Sequence, residues 1–250
     1  MTYAHDTTAP DGAPDGADEP SVSRRGLGCV LEIVETLVLT LVIYLLIHNF
    51  IAQPFEVEQR SMVPTIVESE YVLIDKLTPR FDDYRRGDIV VFQPPSGFEQ
   101  GGVPFIKRVI GLPGDTVTLD NGRVYLTPQG GTRVQLVEDY VARDVDGRAA
   151  PTLPKDAEST TQWTVPPDEY FVMGDNRPES QDSRFFGPID RDLIVGRAWL
   201  RYFPLDRIGF MNRPEYEGLP TETDAEASLL DRGQVLAGSS ATIQASISRP

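Results

Sequence analysis

The chain has 250 residues and a formal net charge of -15, with its acidic residues spread along its length. That balance excludes a nucleic-acid binder, which needs a basic face against phosphates. One cysteine, Cys29, excludes an internal disulfide, and the two histidines, His5 in a polar tail and His48 in an apolar run, leave none for a Ser-His-Asp triad or a His-rich zinc site in a folded domain downstream.

In chain order, residues 1–28 are poor in residues to bury, carry Arg24 and Arg25 near their end, and read as a disordered tail. Residues 29–52 read as a transmembrane anchor. From Ile33 to Ala52 the sequence is IVETLVLTLVIYLLIHNFIA, and at ~1.5 Å per residue this matches a ~30 Å hydrocarbon core. The alternatives are a buried helix of a soluble domain and a cleaved secretory signal. A signal has a shorter apolar core and small residues at alternate positions before its cut, where this run has Phe50. The basic pair Arg24 and Arg25 on one flank, against Glu56 and Glu58 on the other, places the N-terminus in the cytoplasm and everything after about residue 53 outside.

Residues 53–210 read as β-rich, since apolar runs of four to eight residues alternate with turn residues. The expected strands are 71–77, 88–92, 105–111, 116–120, 123–126, 169–174 and 193–203, and Asn121-Gly122 is a type I′ hairpin signal. About 116–167 forms a second sub-domain, with 143–167 as a loop inside it. Residues 211–250 read as a disordered tail. The loop 93–104, rich in Pro and Gly, lies between two strands. Its Phe98 either folds back on the core or touches the bilayer.

No phosphate-cradling glycine motif and no HExxH occurs, so nothing points to a metal or a cofactor. A hydrolase here needs a base other than histidine, and Lys76, Lys107 and Lys155 are the only lysines. In FIKRVIG, alternation puts Phe105, Lys107 and Val109 on one strand face. Desolvation there favours the neutral amine, lowering its pKa from ~10.4 toward the ~7–8 that suits a base. A lysine snorkelling from a half-buried strand is the plain alternative. Lys76 has a similar setting, and Lys155 reads as a solvated loop residue. Ser61 in SMVPT, taken alone, is a serine in a turn. The polar segment 174–184, GDNRPESQDSR, taken alone, is a surface loop held by Asp–Arg pairs.

Three segments in order resemble the boxes of the bacterial type I signal peptidases: SMVPTI (61–66), KRVIGLPGD (107–115) and GDNRPESQDSRFFG (174–187). The resemblance covers roughly residues 30–205. It implies an all-β, antiparallel catalytic domain behind an N-terminal transmembrane helix. It implies a membrane-bound serine endopeptidase that cuts translocated pre-proteins after small residues at the first and third positions before the cut, without cofactor or metal. Its implied partners are secretory pre-proteins and the lipid bilayer. By the same resemblance Ser61 is the nucleophile, Lys107 the general base, and Ser180 the residue that orients the lysine. Asp182 and Arg184 form a structural ion pair, and Met62 lines the substrate pocket. One departure stands two residues before the serine, where the family often has serine or glycine and this chain has Gln59. Its amide is a candidate second oxyanion donor beside the Ser61 N–H. Two other readings are a self-cleaving Ser-Lys repressor, against which the apolar anchor speaks, and a membrane protein of the same fold that has lost turnover and acts as a non-enzymatic surface protein.

Overall fold

The computed structural model describes residues 22–46, 48, 52–98 and 102–219. The tail readings for 1–21 and 220–250 lie outside the described residues. The chain divides into two compact units, 1–46 and 47–250.

The first unit carries one helix, α1 (Val22–Leu46). It begins before Arg24 and Arg25 rather than after them, so the expected tail gives way to helix at Val22; arginine is a good helix former. It also stops short of the expected anchor end, since Ala52 already lies in a strand. Within it, Cys29–Leu46 is an 18-residue run long and apolar enough to cross a membrane, with none of it buried. Thr36 and Thr40 spend their hydroxyls on the carbonyls of Glu32 and Thr36 at 2.8 and 2.7 Å, so both hydroxyls are satisfied within the helix.

The second unit is built of antiparallel sheets, as the fold class expected. Strands β1 (Ala52–Glu56), β2 (Tyr71–Asp75), β3 (Ile89–Phe92) and β4 (Phe105–Gly111) share one sheet with β9 (Glu169–Met173), β10 (Ile189–Asp190), β11 (Ile194–Phe203) and β12 (Gly209–Phe210). The spatial order is β1-β2-β11-β3-β4-β9-β10, with β12 against β11. A smaller sheet holds β5 (Thr116–Asp120), β6 (Arg123–Thr127), β7 (Val134–Gln135) and β8 (Gln162–Thr164) in the order β7-β6-β5-β8. Asn121 and Gly122 join β5 to β6 with φ of 51° and 74°, the two positive angles that a type I′ turn requires.

Strand β4 divides the core. All seven of its residues are buried. Phe105 and Val109 pack with Phe92, Tyr170 and Val172, while Ile106 packs with Val57, Met62, Ile66 and Ile74. A third cluster under the small sheet includes Ile110, Val117, Leu126 and Phe171. A strand flanked by β3 and β9 and covered on both faces explains why FIKRVIG is so apolar.

The C-terminal segment 211–219 is packed, which corrects the expectation of a tail from 211. Met211 joins the Ile106 cluster, and Tyr216 and Leu219 join the Val117 cluster. A segment with an apolar residue only every few positions has no strand or helix period, so its burial is invisible to pattern reading. Phe98 meets Phe186 edge-on, with ring centroids 5.3 Å apart, and is half-buried; of its two readings the structure takes the fold-back.

Candidate active site

The turn that carries Ser61 is a short 3-10 segment, Arg60–Met62. Its residues alone do not hold it in place. The backbone N–H of Asn176 donates to Ser61 O at 2.9 Å, and the Asn176 side-chain amide donates to Arg60 O at 3.2 Å. Thr65 Oγ1 donates to Asp175 Oδ2 at 2.5 Å. Gly174 lies so close that a Cβ there would sit 2.5 Å from Ser61 O. The turn is thus clamped by residues 174–176, more than a hundred positions later in the chain.

Against this turn comes Lys107 from the middle of β4. Its Nζ donates to Ser61 Oγ at 2.8 Å and to Ile106 O at 2.9 Å, and it lies 5.0 Å from the centre of the Phe105 ring. Lys107 is 1% exposed and Ser61 4%. Burial pulls the lysine down to about 8; the Asp182 and Asp175 carboxylates oppose that shift and Arg184 adds to it. A hydroxyl and a largely desolvated amine in direct contact can exchange a proton near neutral pH. The pair opens on a cleft of about 370 Å³, lined also by Gln59, Phe105 and Gln181, with Glu58, Glu68 and Glu179 among its other walls.

The remaining expected residues fall as follows. Gln59 is half-buried in the cleft, extended at φ -115°, and its side chain caps nothing. Ser180 is buried beside Gly174, and its hydroxyl donates to Asp182 Oδ2 at 2.7 Å. Lys107 bonds to Ser61 and Ile106, so Ser180 reaches the lysine's surroundings through Asp182 rather than by a hydrogen bond of its own. Asp182 and Arg184 form a bidentate pair at 2.8 and 2.9 Å, and Asp182 also accepts from Gly174 N at 3.0 Å. Met62 is wholly buried in the core below the turn and is not among the residues lining the cleft. Lys76 donates to Gln53 Oε1 at 2.8 Å, and Lys155 is exposed.

Segment 174–184 is not a surface loop: Gly174, Asp175, Asn176, Arg177, Ser180, Asp182, Ser183 and Arg184 are all buried. Its charges are matched by partners from elsewhere. Arg108, next to Lys107, grips Asp175 with Nε and Nη2 at 2.9 and 2.6 Å and donates to Gly87 O at 2.9 Å. Arg177 donates to Gly174 O at 3.0 Å, to Thr152 Oγ1 at 2.5 Å and to both oxygens of Glu138. Buried charges persist only when paired in this way. Sequence reading missed Arg108, Asp175, Asn176 and Glu138. The density of polar residues in GDNR was a signal for two of them; Glu138 carried none.

The family described as "Signal peptidase, peptidase S26" matches the chain over residues 30–203. A signal peptidase I of Leptolyngbya laminosa is 33% identical over 219 residues, covering 86% of this chain and 98% of that protein. Signal peptidase I P of Bacillus subtilis subsp. natto is 35% identical over 194 residues, 74% of this chain and 95% of that one. The crystal structure of a signal peptidase I from Enterococcus faecalis V583 is 34% identical, covering 46% of this chain and 97% of its own with a TM-score of 0.36. The family match and the two sequence relatives define a peptidase. The chain belongs to the signal peptidase S26 family.

Proposed function

We propose that the chain is a serine endopeptidase that removes signal peptides from secretory pre-proteins at the outer face of the membrane, with Ser61 as nucleophile and Lys107 as general base. The observation that carries this is the 2.8 Å contact between Lys107 Nζ and Ser61 Oγ in a buried setting. With the amine neutral the bond reverses: the Ser61 O–H donates to the Nζ lone pair. As Oγ attacks the scissile carbonyl, its proton passes to Nζ. The tetrahedral intermediate then collapses, Lys107 gives that proton to the leaving amine, and an acyl group remains on Ser61. A water deprotonated by the same lysine releases it.

The oxyanion needs donors that are in place before the reaction. The Ser61 N–H makes no backbone hydrogen bond among the described residues, and the Gln59 amide borders the same cleft. Both are assigned here as oxyanion donors. Asp182, Arg184 and Ser180 hold the floor under Lys107. The apolar helix α1 serves as the anchor that keeps the enzyme in the membrane where a signal peptide is released.

The test uses the full-length chain in detergent with a synthetic signal peptide bearing alanine at the first and third positions before the cut. Cleavage at that single bond, lost in Ser61→Ala, is the expected result. Absence of turnover by the wild-type chain overturns the proposal in favour of a non-enzymatic relative. In the same assay Gln59→Leu lowers kcat by about a hundredfold with little change in KM, the usual loss for one oxyanion donor; an unchanged kcat removes Gln59 from the hole.

A further inference from the structure

The family match ends at residue 203, yet residues 211–219 beyond it pack first on one core cluster and then on another. Along the way it makes two polar attachments. Arg213 Nε donates to Asp88 Oδ1 at 2.7 Å, and Pro214 packs on Gly87, where a Cβ would lie 2.8 Å from its ring. The Tyr216 hydroxyl lies 2.9 Å from that of Tyr140. Between these attachments the segment bridges a cavity of about 430 Å³ whose walls include Thr65, Arg108 and Tyr140.

Both attachments bear on the same guanidinium. Arg108 donates to the carbonyl of Gly87 and lies 4.1 Å from the centre of the Tyr140 ring. Its remaining bonds go to Asp175, which takes the hydroxyl of Thr65 in the nucleophile turn. The second path is a directed chain of hydrogen bonds. Tyr140 donates its one proton to Glu138 Oε1 at 2.7 Å, so the Tyr216–Tyr140 bond takes its proton from Tyr216. Burial keeps both phenols protonated, with Tyr216 pushed up to about 12. Glu138 in turn holds Arg177, and Arg177 folds back on Gly174 O, beside Ser61. Linked bonds of this kind polarise and reinforce one another.

We propose that segment 211–219 is a strap that positions the Ser61–Lys107 pair, acting through Tyr216 on Tyr140 and through Arg213 on Asp88. Tyr216 and Arg213 are positioning residues: neither lines the cleft, and each secures one side of the frame that clamps the serine turn. The inference rests on the Ser61–Lys107 reading above and adds a part that lies outside the family match.

The experiment is done on the full-length chain with the same signal-peptide substrate, at a temperature well below the melting point of every variant. Tyr216→Phe keeps the ring and its packing and removes only the proton donor. It lowers kcat roughly threefold to tenfold, the worth of one hydrogen bond, with KM within about twofold of wild type. Arg213→Gln does the same, and the double variant falls below either. Glu217→Gln, an exposed change on the same segment, leaves kcat as it was. A wild-type kcat in Tyr216→Phe and in the double variant, whatever happens to their melting points, overturns the strap's role and leaves the segment merely structural. If instead turnover persists in Ser61→Ala, the underlying reading falls and the strap's role with it.

Discussion

Lys107 Nζ lies 2.8 Å from Ser61 Oγ across 46 positions of sequence, and the two meet because β4 passes under a turn that residues 174–176 clamp from above. Among the described residues the buried amine has no carboxylate bonded to it. That makes it reactive and also makes it expensive to fold.

The first prediction follows from that cost. Burial lowers the lysine from 10.5 to about 8, at ~1.4 kcal/mol per pKa unit. Between those two values the unfolded chain binds more protons than the native one, so stability rises with pH across that window; below about pH 8 the penalty is present in full. Lys107→Met, which fills the space without a charge, is therefore inactive but more stable at pH 7, by something on the order of 3 kcal/mol. Its advantage shrinks toward pH 10.5. Chemical denaturation at the two pH values measures it. Lys76→Met, at a residue bonded to Gln53, keeps near-normal turnover; the reverse pattern means the base is misassigned.

The second concerns activity against pH. The reactive form of Lys107 is neutral, so kcat/KM climbs about tenfold per unit below the lysine's pKa and levels off above it. With that value near 8, the limb falls in the neutral to mildly alkaline range. A profile flat from about pH 5 to 9 is incompatible with a lysine base.

Gly174 supplies the third. A methyl group there would lie 2.5 Å from Ser61 O and closer still to Ser180 Oγ. Gly174→Ala must push the serine turn away from residues 174–176, at a cost typical of overpacking, about 1–3 kcal/mol. The chain still folds, and kcat drops by about a hundredfold or more, since misplacement by an ångström is enough for that. A melting curve read beside the signal-peptide assay checks both parts, and a variant with normal kcat means the clamp does not set the serine's position.

The fourth is topological. Arg24 and Arg25 precede the apolar run Cys29–Leu46, and the positive-inside rule predicts an N-terminus in the cytoplasm with residues after about 53 outside. Protease added to intact spheroplasts digests that unit or gains access to it, whereas a reporter fused after residue 210 that works only in the cytoplasm reverses the orientation.

Much of the architecture is legible in the residues themselves. The apolar run before residue 47 announces a helix, FIKRVIG coincides with β4, and Asn121-Gly122 with its two positive φ angles turns β5 into β6. These are short-range signals: a period, a run length, the backbone freedom of one dipeptide. Strands of two or three residues such as β7, β8, β10 and β12 carry no such period, and neither does the strap through Met211, Tyr216 and Leu219.

The sequence by itself also argued that a hydrolase here needs a base other than histidine, because no histidine lies in residues 53–210. What it could not decide from pattern was which lysine, since Lys76 and Lys107 sit in equally apolar stretches. The resemblance to the signal peptidase boxes points to Lys107, and the tertiary structure gives the two lysines different surroundings. Lys76 follows a strand next to the sheet's edge strand and finds Gln53 as a partner. Lys107 lies on a central strand between β3 and β9, covered on both faces. The same holds for Met62, which goes to the core, and for Ser180, whose hydroxyl goes to Asp182. Desolvation depends on which distant strands cover a residue, and that is a long-range property no local pattern encodes.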